Sequence, residues 1–200
     1  MSDQILWFAA RGAGVVALLL FTATTVLGIL TTTRWGAAGW PRFLTAELHR
    51  NLSLLSLAFL AVHIVTAIAD PFTSLGIAAA IVPFASSYRP VWVAIGVVAL
   101  DLLLALIVTS LLRPRIGQGL WRAVHWTAYA AWPLALAHGL GAGTDAFSTW
   151  LLAVQAGCIL AVALAIGWRL WAGGSNRERL PDVVAAGRRP GATPYVRRDR

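Results

Sequence analysis

Lysine is absent from this 200-residue chain, and cysteine and methionine occur once each. The lone cysteine, Cys158, sits inside an apolar run, so the chain has no disulfide framework and no Cys-x-x-Cys pair for redox chemistry or covalent cofactor attachment. The lone methionine is Met1, which removes an internal thioether as a metal ligand. Charge is scarce as well, at 12% of residues, and all sixteen basic side chains are arginines. The net charge of +8 and the pI near 11.4 would suit a nucleic-acid partner. The placement of the arginines follows a membrane pattern instead, and no nucleic-acid role is expected.

What the chain has in quantity is apolar surface: 58% hydrophobic residues and a mean hydropathy of +0.73. A soluble domain of this length could not bury that much, so the lipid bilayer is the expected solvent. Runs long enough to cross about 30 Å of hydrocarbon, at about 20 residues each, occur at roughly 12–32, 46–69, 91–112, 119–140 and 148–171. The first run lacks a basic leading region and a small-residue cleavage pattern, so it predicts a retained helix. Between the second and third, "DPFTSLGIAAAIVPFASSYRP" is too short to span and predicts a surface-lying or re-entrant segment. The sequence thus predicts an all-α membrane protein, a bundle of five transmembrane helices over residues 1–171. A disordered, Arg-rich cytoplasmic tail is expected over 172–200.

Arginine positions give the orientation. Arg34, Arg42, Arg50, Arg113, Arg115 and Arg122, with the eight from Arg169 to Arg200, fall on one side, leaving Arg11 and Arg89 on the other. The positive-inside rule then predicts a multi-pass protein of the cytoplasmic membrane, with the N-terminus outside and the C-terminus in the cytoplasm. The tryptophans agree: Trp35, Trp40, Trp121, Trp168 and Trp171 fall near the inner boundary, and Trp7, Trp92 and Trp150 near the outer one. The second and fourth spans consequently run the same way.

Those two spans carry all four histidines, His49 and His63 on one, His125 and His138 on the other. At 1.5 Å per residue the first two are about 21 Å apart along the axis and the second two about 19.5 Å, so the spans match them in depth. One pair lies toward the cytoplasm, His49 with His125, and one toward the outside, His63 with His138. Ionisable groups in hydrocarbon are costly and mark function. A four-histidine zinc site is disfavoured, because the two pairs are too far apart in depth to converge on one ion with bonds of about 2.0–2.1 Å. Haem iron takes one axial ligand from each face of a flat macrocycle, so two stacked b-type haems with bis-histidine ligation fit. Helical phase places His63 within about 40° of His49 but leaves His138 about 140° from His125, a mismatch that a kink at Pro133 would relieve. Small residues nearby, Ser53, Ser56, Ala61, Ala128, Ala135 and Gly139, leave room for a planar group.

The spacings H-x13-H and H-x12-H on two co-directional spans resemble the ferric reductase-like transmembrane domain family, related to the membrane portion of NADPH oxidases. The likeness runs over roughly residues 12 to 171. It implies transmembrane electron transfer through an inner haem (His49/His125) and an outer haem (His63/His138), from a cytoplasmic flavin or NAD(P)H donor to an outer acceptor such as ferric chelate, oxygen or a flavoprotein. The chain departs from the larger members in having five predicted spans rather than six and no flavin- or nucleotide-binding domain of its own. An oxidoreductase subunit served by a separate cytoplasmic reductase or flavoprotein is therefore implied, with an extracytoplasmic FMN-binding protein as a further partner.

Around these ligands, Arg50 and Arg122 adjoin the inner pair and Arg89 lies on the outer side, each a candidate for haem propionates. Trp126 and Trp132 are candidates for packing on the porphyrins. Asp101, mid-span in "VVALDLLLALIV", is expected to hydrogen-bond a neighbouring helix or to join a proton path. Two other readings are the haem subunit of a methionine sulfoxide reductase system and a histidine-based metal or proton transporter.

Overall fold

The computed structural model describes residues 2–32 and 42–187, with side chains over 4–31 and 43–172. Arg34, Trp35, Trp40, the side chain of Arg42 and residues 188–200 lie outside the described residues. Seven helices follow in order: α1 Ser2–Thr32, α2 Arg42–Ala69, α3 Ile77–Ile81, α4 Pro90–Leu111, α5 Arg113–His125, α6 Ala128–Ala142 and α7 Thr149–Gly187. No strand occurs among the described residues. Backbone groups in hydrocarbon must be satisfied within their own segment, and the helix does that. The hydroxyls follow suit, with Thr22, Thr25, Thr66 and Thr109 each donating to the carbonyl four residues back.

Four stretches are long and apolar enough to cross a membrane: Gln4–Thr31, Phe43–Ala69, Pro90–Leu111 and Thr149–Ala172. They correspond to the first, second, third and fifth predicted runs. The run predicted at 119–140 is not one continuous helix and is not among the four. It is divided between α5 and α6 by a tight turn at Trp126–Thr127.

The break lies between His125 and His138 but not at Pro133, which stands inside α6. Backbone bonds from Thr127 to Val124 (2.9 Å), Tyr129 to Trp126 (3.1 Å) and Ala130 to Thr127 (2.9 Å) skip three residues rather than four. Such turns rotate the chain by about 120° per residue instead of 100°, which works against the phase mismatch. Pro133 has no N–H to offer the carbonyl of Tyr129, so its effect falls on this same upstream turn.

The segment between α2 and α4 holds only the short α3, in keeping with a stretch too short to span. Tyr88 Oη donates to the Ala142 carbonyl (3.1 Å), and the Arg89 guanidinium donates to the carbonyls of Gly141 and Gly143. The segment is thereby fastened to the C-terminal end of α6, where orphan carbonyls and the helix dipole favour a cation. α7 continues to Gly187, well into the stretch where composition predicts disorder. Its Arg, Glu, Leu and Ala residues are good helix formers even where they are no longer apolar.

Helix packing leaves a slot. α1 packs along α2 and also touches α6 and α7, while α4 packs on α5 and α6. α2 and α6 are not among the principal contacts. A buried cluster of Phe21, Ile29, Ala131, Trp132, Leu136, Cys158, Val162 and Ala165 ties α1, α6 and α7 together. Within it the Trp132 indole N–H donates to Thr22 Oγ1 at 3.0 Å, satisfying the one polar atom of that ring. Among the described residues α2 therefore rests mainly on α1, with a lesser contact to α3, and its histidine face is turned toward α5 and α6 across a gap.

Candidate functional site

The four histidines meet in two pairs across that gap. Ring centres of His49 and His125 are 6.4 Å apart, and those of His63 and His138 are 6.2 Å apart. Because the earlier residue of each helix segment meets the earlier residue of the other, α2 and α5–α6 run in the same direction. Among the described residues no three histidine, cysteine or carboxylate side chains converge as a metal cage. The arrangement is two separate histidine pairs, a geometry that would suit a group coordinated from opposite faces.

The spacing within each pair tests that fit. A metal–imidazole bond of about 2 Å, plus about 1.1 Å from nitrogen to ring centre, puts the centres of two trans imidazoles about 6.2 Å apart. Both pairs stand at that separation, closer than a second side chain between them would permit and farther than direct stacking requires.

Three of the four rings are held by backbone. Nδ1 of His49 bonds the Thr24 carbonyl (3.0 Å), Nδ1 of His63 the Ala10 carbonyl (2.7 Å) and Nδ1 of His138 the Trp92 carbonyl (2.8 Å). An Nδ1–H donated to a carbonyl fixes the tautomer and leaves the Nε2 lone pair free for a metal. Each of these carbonyls belongs to a helix and already accepts from the residue four positions on. In all three cases that residue is glycine: Gly28 after Thr24, Gly14 after Ala10, Gly96 after Trp92.

A Cβ at Gly14 would stand 2.8 Å from His63 Nδ1, one at Gly28 would stand 3.4 Å from His49 Cε1, and one at Gly96 would overlap the His138 ring. The missing side chain uncovers the carbonyl so that the imidazole can reach it. Fourteen residues separate Gly14 from Gly28, the same step that separates His49 from His63, so α1 serves both levels of α2 in one antiparallel register.

His125 is the exception. Its Nδ1 is buried without a hydrogen-bond partner. A further fourteen residues along α4 from Gly96 stands Ser110 rather than glycine. The His125 ring instead stacks on Trp121, with centres 4.8 Å apart and planes 23° apart. The Trp121 indole N–H in turn donates to Ser110 Oγ at 3.4 Å, and the Arg113 guanidinium lies over its ring.

A predominantly apolar cavity surrounds the His63/His138 pair, lined among others by Gly14, Ser56, Gly96, Ala135 and Gly139. Its polar lining includes Arg11, Tyr88 and Gln155. Gln155 on α7 is only 3% exposed and its Oε1 has no hydrogen-bond partner. Arg11 forms an ion pair with Asp145, and its guanidinium closely approaches Gly143, where a Cβ would collide with it.

Other expected residues fall differently. Arg89, the outer candidate, is committed to the Gly141 and Gly143 carbonyls, and Arg11 is the arginine that lines the cavity. Arg50 and Arg122 are exposed on their helices beside His49 and His125. Trp132 is consumed by the core, and Trp126 is 55% exposed beneath the Arg169 guanidinium, so neither lines the outer cavity. Gly14, Gly28, Gly96, Trp121, Arg11 and Gln155 were not singled out as site residues from sequence. The glycines had a readable signal, in that two of them repeat the histidine spacing.

No curated protein and no solved structure matches the chain. A family match covers residues 13–136, more than half of the 200, and takes in most of α1, all of α2 to α5 and most of α6, with three of the four histidines. Such membrane components carry electrons across the bilayer. The paired-histidine bundle described above thus belongs to the ferric reductase like transmembrane component family.

Proposed function

We propose that the chain holds two b-type haems, an inner one between His49 and His125 and an outer one between His63 and His138. It would pass single electrons from a cytoplasmic flavin or NAD(P)H-linked donor to an acceptor outside the membrane. The observation that carries this reading is the pair separation, 6.4 and 6.2 Å between ring centres at two levels between α2 and the α5–α6 segment. Bound haem supplies reversible one-electron chemistry at iron, tuned by its axial ligands and their surroundings.

The chain's own residues orient and insulate. Backbone carbonyls hold three imidazoles by Nδ1, which leaves Nε2 as the free nitrogen of each, and an apolar lining surrounds the His63/His138 pair. Arg11 would hold a propionate at the outer level, with Arg50 and Arg122 the candidates at the inner one. Arginine placement supports the orientation, with the His49/His125 level toward the cytoplasm. The donor in this reading is a separate cytoplasmic reductase or flavoprotein, and an extracytoplasmic FMN-binding protein is a candidate acceptor.

An absorption spectrum of the purified protein tests the reading. A Soret band and a dithionite-induced α band are expected, with about half the intensity lost in His63→Ala. A protein of full helical content that has neither band contradicts it.

A further inference from the structure

Asp101 is a carboxyl group at the centre of a span and on its outer surface. It is flanked by 11 residues of α4 toward Pro90 and 10 toward Leu111, about 15 Å of helix on each side, which is half the hydrocarbon thickness. The sequence leads one to expect a hydrogen bond to a neighbouring helix or a place on a proton path. The structure departs from both. Asp101 is exposed, makes no hydrogen bond or ion pair among the described residues, and is not part of the cavity at the outer histidines. Ionisable groups at this depth characteristically face a bundle interior or a water-filled cavity, because lipid offers them no partner.

The surroundings have the form of an interface. Val98, Asp101, Ala105 and Val108, with Leu112 at the C-cap, are all exposed and recur at steps of three and four, forming one stripe along α4. Val93, Val97 and Leu106 are buried on the side that meets the bundle. Ala105, one turn from Asp101, lets another backbone approach closely. A single polar residue in such an apolar seam fixes the register of the helix that covers it.

We propose that this stripe docks a membrane-spanning helix of a partner protein that carries a lysine, arginine or histidine at mid-span, paired with Asp101. Charge complementarity selects that occupant. A second copy docking by the same stripe would set carboxyl against carboxyl. Among the described residues no arginine of this chain offers the cation from another face, since Arg11, Arg50, Arg89, Arg113, Arg115, Arg122 and Arg169 all stand outside the middle third of every span. The inference does not depend on the haem assignment.

A photo-crosslinking amino acid at Ala105 of the full chain, activated in native membranes, tests it, with Leu164 on the exposed face of α7 as control. The adduct from position 105 should contain a peptide from an apolar span of another protein with a basic residue near its middle. Its yield should fall roughly tenfold in Asp101→Asn and persist in Asp101→Glu. The Asn substitution is isosteric, so loss of the adduct with unchanged protein yield and melting temperature isolates the charge. A crosslink to a second copy, to a span without a basic residue, or to lipid alone overturns the proposal, as does a yield indifferent to Asp101→Asn.

Discussion

The pairs proposed as outer (His63/His138) and inner (His49/His125) share α2 on one side, but their partners lie on α6 and α5 respectively, and they are built differently. At the outer level both imidazoles are fastened to helix carbonyls, Ala10 on α1 and Trp92 on α4, each uncovered by a glycine four residues on. At the inner level only His49 has that brace, and its partner is held by the face of Trp121. A carbonyl brace fixes ring rotation and raises ligand basicity, whereas a stacked indole restrains the ring plane and leaves its N–H unspent. The fourteen-residue step along α4 from Gly96 falls on Ser110, whose Oγ accepts from the Trp121 indole N–H. Rigidity in this fold is thus set by where backbone is left bare rather than by polar side chains.

The sharpest way to break the contrast is Gly96→Val. The new side chain would occupy the space of the His138 ring, so the outer cofactor should be lost almost completely while the inner one stays, read as half the haem per chain. Gly14→Ala should act in the same direction but more weakly, since its Cβ would stand 2.8 Å from His63 Nδ1. Overpacking of this kind costs about 1–3 kcal/mol, so reduced outer occupancy and an upward shift of the outer potential are expected in a redox titration.

Gly28→Ala should cost least of the three, because its contact with His49 is 3.4 Å and a small shift accommodates it. Equal losses from all three substitutions would show that bare carbonyls are not what positions the rings. Trp121→Leu should spare the outer site and broaden the low-spin electron paramagnetic resonance signal of the inner one. Removal of a supporting group of this type lowers cofactor affinity by about 10–100-fold.

Much of this was legible in the chain. The spacing of His49, His63, His125 and His138, with the arginine asymmetry, predicted co-directional helices and two levels, and the ring pairs meet at both. The division of the fourth span was not legible in detail. Its visible breaker is Pro133, but a proline acts on the turn before it, and the Trp126–Thr127 turn has no glycine or proline of its own to announce it.

The choice between Arg11 and Arg89 was equally hidden. Both are outer arginines in sequence, and only the C-terminal carbonyls of α6 determine which of them is occupied elsewhere. Asp101 shows the limit from another side. Periodicity places it on α4, but which face of an all-apolar helix meets the bundle is decided by packing, not by hydropathy.

The central claim is the pairing itself, and haem stoichiometry in double substitutions tests it most directly. His63→Ala and His138→Ala should each remove one haem, and the two together should still remove only one. His63→Ala combined with His49→Ala should remove both. If the His63/His138 double variant loses two haems, or if His63→Ala with His49→Ala leaves one in place, the two-level account is contradicted.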